Sequence, residues 1–398
     1  MSALVRSITS LAKALFALLS LSLVAACDIT LLEASAESPT PETASAEAHV
    51  AQGIEPDACR PRRSRPPLGA PAWPIGTDPA MPAPKTAVPY RGVNLAGAEF
   101  GNPIPGVEGK DYTFPTKEEV DFYMGKGMNT FRLAFKWERM QRSLHAELDT
   151  RYFDKLDAII WYATAKGAHV ILDPHNFARY AGKVIGSADV PNAAFADFWR
   201  RMAKEYADNP LVMFNLVNEP HTMRTEQWVS AANAAIAAIR GAGATNTIIV
   251  PGNSWTGAHS WYSSSYGTPN AVAMLDVVDP GDNMLFEAHQ YLDEDSSGNS
   301  EQCITPTIGR ERLLPFVKWL RDNNRRGFIG ELAGGRNEPC NRAVTDMLAY
   351  VMESSDVLDG WLWWAGGPWW GDYKFTLEPK PGGGAERPQW AILAPFLF

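Results

Sequence analysis

The stretch Leu211 to His221, LVMFNLVNEPH, decides how the chain folds. An apolar run with strand character stops at Asn218-Glu219-Pro220, presenting a carboxylate and an amide where a buried strand meets a loop. Proline has no N–H for a sheet ladder, so Pro220 forces the exit and leaves Glu219 at a strand's C-terminal tip. A second apolar run, Gly327-Phe328-Ile329-Gly330, ends on Glu331 and runs into Leu332-Ala333-Gly334-Gly335. Two tip carboxylates so distant in sequence meet only in a closed fold.

From Tyr90 onward, short apolar runs alternate with longer segments of helical period, the pattern of repeated strand-helix units. Strands are expected at Arg91 to Gly97, Thr130 to Phe135, His169 to Asp173, Val212 to Val217, Thr247 to Val250, Met284 to Ala288, Gly327 to Gly330 and Gly360 to Trp364. Helices are expected at Lys117 to Lys126, Arg151 to Lys166, Ala193 to Ala207, Glu226 to Arg240, weakly at Asn270 to Leu275, then Arg310 to Asn323, Arg342 to Ser354 and Pro388 to Phe396. Eight of each over about 300 residues is what an α/β fold of the (β/α)8 TIM-barrel type requires. The alternative is a doubly wound sheet, but Gly97-Ala98-Glu99-Phe100-Gly101 after the first strand is no phosphate-binding turn.

The 398 residues, 45% hydrophobic and 20% charged, are those of a globular protein with a sizeable core. Lys and Arg total 36 against 45 acidic residues, so no general basic field is available for nucleic acid. The 14 Trp and 12 Tyr exceed what a core needs, and several stand in Gly-rich, loop-like sequence where they offer flat faces to ligands.

Residues 1–26 combine basic Arg6 and Lys13 with apolar Ala14 to Ala26, the layout of a signal peptide too short to span a membrane. Leu23-Val24-Ala25-Ala26-Cys27 resembles a bacterial lipobox, which makes Cys27 the lipidated first residue of an exported envelope protein; Asp28 would favour the inner membrane. The alternative is ordinary cleavage near Ala34-Ser35-Ala36 and secretion. Residues 27–86 are rich in Ala, Ser, Glu, Thr and Pro without apolar period, and include the basic knot Arg60 to Pro67; they read as a disordered tether. Residues 87–398 are then the single folded domain. Of the remaining cysteines, Cys303 and Cys340 lie in loop-like sequence and are expected to pair in an oxidising compartment, leaving Cys59 odd. Their spacing does not suggest zinc. Asp293-Glu294-Asp295-Ser296-Ser297-Gly298 imitates the start of a calcium loop, but its twelfth position is Ile304 and the bidentate glutamate is missing.

Titratable or aromatic residues recur at the strand ends: Arg132, His175 after Asp173, Asn218 with Glu219, His289 with Tyr291, Glu331, and Trp363 with Trp364. Each alone has a plain structural reading, such as an ion pair for Arg132 or a packed core ring for either histidine. In a barrel these ends converge on one mouth, where the joint pattern has few structural explanations.

The segments Arg91 to Phe100, Phe131-Arg132-Leu133, Asp173-Pro174-His175-Asn176, Asn215 to His221, Pro251-Gly252-Asn253-Ser254-Trp255, His289 to Asp293 and Gly330 to Gly335, in this order, resemble family 5 of the glycoside hydrolases. More narrowly, the chain is similar to endo-β-1,4-glucanases of the branch that contains secreted fungal enzymes. The resemblance implies a cellulase with Glu219 as general acid and base and Glu331 as nucleophile. It further implies that Asn218 bonds the sugar 2-hydroxyl and that Arg132 and Tyr291 hold the nucleophile. His175, Asn176 and His289 would line or support the cleavage point, Trp364 would floor it, and Trp255 would be a platform. The Cys303 to Cys340 disulfide fits the same branch. Two features depart from the fungal pattern: Asp173-Pro174 before His175, and the Trp-rich run Trp363 to Trp370.

Such chemistry needs one carboxyl group protonated and its neighbour ionised. Arg132 would keep Glu331 charged, while Glu219, lacking a cation, would hold its proton. Retention requires the two groups about 5 to 5.5 Å apart and inversion about 6.5 to 9.5 Å, and the short spacing is expected. No cofactor or metal is called for, the partner is a β-glucan chain, and a monomer is expected. Two other readings stay open: a β-mannanase, xyloglucanase or other β-glycanase on the same barrel, and a lipoprotein that binds glycans without cleaving them.

Overall fold

Eight short segments of this chain are apolar on both faces, as parallel strands covered by helices must be. In the computed structural model they are β1 (Tyr90–Ala98), β2 (Thr130–Phe135), β3 (His169–Pro174), β4 (Val212–Asn215), β5 (Ile248–Pro251), β6 (Met284–Gln290), β7 (Gly327–Leu332) and β8 (Leu358–Gly366). Each pairs in parallel with its neighbours, and β8 returns to β1 to close the barrel. The structure describes residues 87–379 and 386–397. The signal peptide, the tether, Cys27 and Cys59 lie outside the described residues.

The outer ring is α1 (Lys117–Gly125), α2 (Thr150–Ala165), α3 (Asn192–Tyr206), α4 (Thr225–Gly241), α5 (Asn270–Ala273), α6 (Ile308–Asp322), α7 (Glu338–Glu353) and α8 (Gln389–Leu393). Local chemistry sets several of their starts. Thr116 and Glu119 form a reciprocal capping box on α1, and Asp149 and Asn337 cap α2 and α7. The Asn337 cap, with Pro339 in the first turn, starts α7 at Glu338 rather than at the expected Arg342. Inward faces of the helices carry large rings whose N–H groups reach strand ends. Trp199 of α3 donates to the Leu216 carbonyl and Trp228 of α4 to that of Pro251, at 3.0 and 2.7 Å. These bonds fix the two exits nearest Asn218 and Trp255.

The exit after β4 differs from expectation. β4 ends at Asn215, not Val217, although the Leu216 N–H still bonds to Ile249 O at 3.0 Å. Asn218 N–H then turns to Pro174 O at 3.0 Å, and Glu219 takes a left-handed φ of 40°. The chain therefore leaves the sheet before Pro220, which is not what ends the strand. Conversely, β7 runs on to Leu332, so Glu331 lies inside it. A short helical turn at Trp137–Met140 and a small hairpin, Arg179–Tyr180 with Lys183–Val184, were not expected.

Cys303 and Cys340 form a disulfide across 37 residues, a span that contains α6 and β7 with Glu331. Closing a loop of that length removes conformational freedom from the unfolded chain. Replacing both cysteines by serine is expected to lower stability by ~2–4 kcal/mol in denaturant unfolding; an unchanged midpoint would show that the staple does not restrain the unfolded chain.

Candidate active site

Inward-facing side chains change character along the barrel axis. Ile171, Met213, Ile249, Leu285, Phe328 and Leu362 form an apolar plug, with Tyr90 against it. Inward positions on a strand recur every second residue, so the next set is Asp173, Asn215, Glu287, Gly330 and Trp364. A further step along the same faces brings His175, and His289 followed by Tyr291. The mouth is thus polar because two strands, β3 and β6, switch from aliphatic to titratable residues in phase.

Arg132 of β2 stands at the centre, fully buried. Its Nη1 donates to Asn94 Oδ1 and to Glu331 Oε1, both at 2.9 Å, and its Nη2 donates to Asn218 Oδ1 at 2.8 Å. Asp173 Oδ2 lies 3.1 Å from Nη1 and Glu287 Oε1 3.5 Å from Nε. Burial works against the guanidinium charge, but the surrounding Asp173, Glu287, Glu331 and Glu219 outweigh it and raise its pKa.

Glu331 reaches this cation through a bulge. Ala288 pairs with Ile329 and His289 with Glu331, so Gly330 is an extra residue on β7, and Glu331 turns toward the mouth beside it. Its other oxygen, Oε2, accepts from Tyr291 OH at 2.7 Å. Burial, then the charges of Glu331 and Glu219, push the Tyr291 phenol well above its ordinary pKa, so Tyr291 stays a donor. The loop that imitated a calcium site holds Tyr291 instead. Gly298, at φ 73°, packs against the tyrosine ring where a Cβ would come within 2.7 Å, and the Asp293 carboxylate accepts from the N–H groups of Gly298 and Ser300.

Asn218 is oriented from both ends. With its oxygen taken by Arg132, its nitrogen faces His175 Nε2 at 3.1 Å, while His175 Nδ1 lies 2.8 Å from Asp173 Oδ2. Burial opposes protonation of His175, and the bond and charge of Asp173 more than offset it. The Asn218 amide acts in the opposite sense: in this hydrogen-bond pattern Nε2 accepts and Nδ1 carries the proton.

His289 Nδ1 lies 2.7 Å from Glu219 Oε1 and 3.6 Å from Glu331 Oε2, and Nε2 lies 3.4 Å from Glu287 Oε1. Burial lowers its pKa, but Glu331, Glu287 and the bond to Glu219 raise it further, to about 10. Glu219 therefore does have a cation beside it, contrary to the charge pattern read from the sequence. One oxygen of Glu219, one of Glu331 and a His289 nitrogen all lie within 4.8 Å of one another. His289 thus bridges the two carboxyl groups through its Nδ1.

Aromatic rings flank the pair in a continuous track. Trp370, Trp364, His175, Phe177 and Trp255 follow one another with centroid separations of 5.9, 5.4, 5.3 and 5.8 Å. Trp255 is 47% exposed, presented by three consecutive left-handed residues, Ser254, Trp255 and Thr256, and backed by the His221 ring at 3.6 Å. Such strain persists where neighbours over-determine the backbone, and Trp255 N–H is tied to Pro220 O at 3.0 Å. Trp363 is buried, whereas Trp369 is exposed. Asn176 serves the scaffold: its oxygen accepts from Trp137 N–H at 2.8 Å and its nitrogen donates to Glu138 at 2.5 Å. Asn94 and Glu287 escaped the reading of the sequence, although Glu287 carries the same signal as Arg132, a charge inside an apolar strand.

A barrel mouth that brings two carboxyl groups this close under an aromatic track is the arrangement of a glycoside hydrolase. The family model described as cellulase (glycosyl hydrolase family 5) matches residues 88–367. Endo-beta-1,4-glucanase B of Aspergillus niger is 46% identical over 292 residues, covering 73% of this chain and 85% of that protein. The solved structure of XacCel5A in complex with cellopentaose is 47% identical with a TM-score of 0.76, covering 78% of this chain and 99% of that one. An endo-beta-1,4-glucanase of Xanthomonas axonopodis pv. citri is 46% identical with a TM-score of 0.76, covering 77% and 98%. The chain belongs to the cellulase family, glycosyl hydrolase family 5.

A proton held more tightly in the folded state than in the unfolded one stabilises fully below the unfolded pKa and ceases to do so as pH rises through the folded one. For His289 those limits are 6.5 and about 10. The thermal unfolding midpoint is expected to fall across this window more steeply than in His289→Gln; parallel curves would contradict a charged His289.

Proposed function

We propose that this protein is an endo-acting β-1,4-glucanase that cleaves with retention, with Glu331 as nucleophile and Glu219 as acid and base. The observation that carries the reading is the clamp on Glu331. Arg132 and Tyr291 each donate to one of its oxygens, within reach of Glu219, and so fix a carboxylate for attack. Glu331 attacks the anomeric carbon while Glu219 gives its proton to the leaving oxygen. In the second half Glu219 takes a proton from water, which displaces Glu331 from the sugar. Glu219 Oε1 is occupied by His289, so Oε2 carries the exchanged proton. Asn218, fixed by Arg132 and His175, presents its amide to the sugar bound at the cleavage point, and Trp364 and Trp255 stack on the apolar faces of successive rings.

The relative from Aspergillus niger bears the name endo-beta-1,4-glucanase B, and XacCel5A was crystallised with cellopentaose. An aromatic track five rings long, from Trp370 to Trp255, suits an internal stretch of polymer. We further infer that the enzyme is exported and works as a monomer. Residues 1–26 serve as a lipoprotein signal, Cys27 as the lipid anchor and residues 27–86 as the tether to the catalytic domain.

On a soluble cellulose derivative the wild type is expected to lower viscosity faster than it releases reducing ends, with mannan and xyloglucan cleaved more slowly. Glu219→Gln and Glu331→Gln should each lower kcat by about 10²–10⁴-fold with little change in unfolding midpoint. Undiminished hydrolysis in either variant, or no hydrolysis of the glucan by the wild type, would overturn the assignment.

A further inference from the structure

Glu287 is a carboxylate of the barrel interior that the mechanism above does not use. It is fully buried, and neither of its oxygens accepts a hydrogen bond. Its charge is met by two ion pairs, with Arg132 Nε at 3.5 Å and His289 Nε2 at 3.4 Å. The barrel is carved to admit it: a Cβ on Gly330 would lie 1.8 Å from Glu287 Oε1. A buried carboxylate with no hydrogen-bond donors persists only where cations hold it.

The geometry around His289 gives Glu287 a task. Nδ1 faces Glu219 on the loop after β4 and Glu331 on β7, while Nε2 faces Glu287 on the histidine's own strand. Arg132 of β2, itself paired with Asp173 of β3, and the Tyr291 phenol are further charged or titratable groups at this centre, and the loop after β5 contributes the Thr256 carbonyl to the His289 N–H and the Ala258 N–H to the His289 carbonyl. A neutral imidazole has one N–H and one lone pair, so between the Glu331 carboxylate on the Nδ1 side and the Glu287 carboxylate on the Nε2 side it would set that lone pair against one of them. Two protons satisfy both ends.

We propose that Glu287 is a positioning residue that keeps His289 doubly protonated and in line with Glu219, so that Glu219 gives up and regains its proton beside a fixed cation. The proposal rests on the assignment of Glu219 as acid and base. In the first step Glu219 becomes negative as its proton passes to the leaving oxygen, and the imidazolium opposite stabilises that charge without itself losing a proton. In the second step the same cation orients Glu219 as it accepts the proton of water. Glu287 touches neither substrate nor the reacting atoms and acts on Glu219 through His289.

The test compares the full-length wild type with Glu287→Gln, which keeps the shape and removes the charge. Nitrogen NMR of isotope-labelled histidine rings reads the protonation of His289 directly and needs no activity, so it separates this proposal from the glucanase assignment. In the wild type the His289 ring should hold both protons through neutral pH. In Glu287→Gln its titration should move down by at least about one unit, kcat on a soluble cello-oligosaccharide should fall about tenfold or more, and KM should stay within about twofold. Glu287→Asp should recover part of both losses and stands in if the glutamine variant does not fold. A neutral His289 ring in the wild type at pH 7, an unshifted titration in the variant, or an unchanged kcat would each overturn the proposal.

Discussion

The buried guanidinium of Arg132 is the constraint to which the rest of the site conforms. A cation taken out of water needs close counter-charges and a partner for nearly every N–H. Here Asn94, Asp173, Asn218, Glu287 and Glu331 supply them from β1, β3, the exit of β4, β6 and β7. Five parts of the barrel are thereby bound to one planar group, and the positions of the working side chains follow from it. Asn218 presents its nitrogen toward His175 because its oxygen belongs to Arg132. Glu331 is held at one oxygen by Arg132 and at the other by Tyr291, and so cannot rotate away.

The barrel supports this centre by layering. An apolar plug from Ile171 to Leu362 closes its lower part, and the polar set stands two residues further along the same strand faces. Two local departures from regular pairing make the chemistry possible. The bulge at Gly330 turns Glu331 toward the mouth and clears the space that Glu287 fills. The left-handed backbone at Glu219 lifts that carboxyl out of strand geometry toward His289. Close placement of this kind is what a charged pair requires, because its electrostatics change steeply with distance in a dry site.

Much of this was legible in the residues. Apolar runs bounded by Gly and Pro located all eight strands, and Glu219 and Glu331 stood out because each ends such a run. Arg132 was visible as a charge in an apolar strand. Glu287 carried the same mark in Met284 to Gln290 but was eclipsed by His289 two residues later. The end of β4 was misplaced because Leu216 and Val217 are as apolar as the strand itself; what ends pairing there is the turn toward Pro174, a tertiary contact without local signature. The bulge at Gly330 and the cation beside Glu219 were hidden for the same reason. Both arise from how two strands meet, and neither is written in one segment. Asn176, beside His175 in sequence, faces Trp137 and Glu138 instead, since neighbours on a strand end point in different directions.

The central claim is that Glu219 and Glu331 are a closely spaced pair in which Glu331, clamped by Arg132 and Tyr291, attacks carbon directly. Proton NMR of the first products released from a cello-oligosaccharide, recorded before the freed anomers equilibrate, tests it most directly. The account predicts that the β configuration appears first and the α form only later by mutarotation; initial release of the α anomer would contradict it.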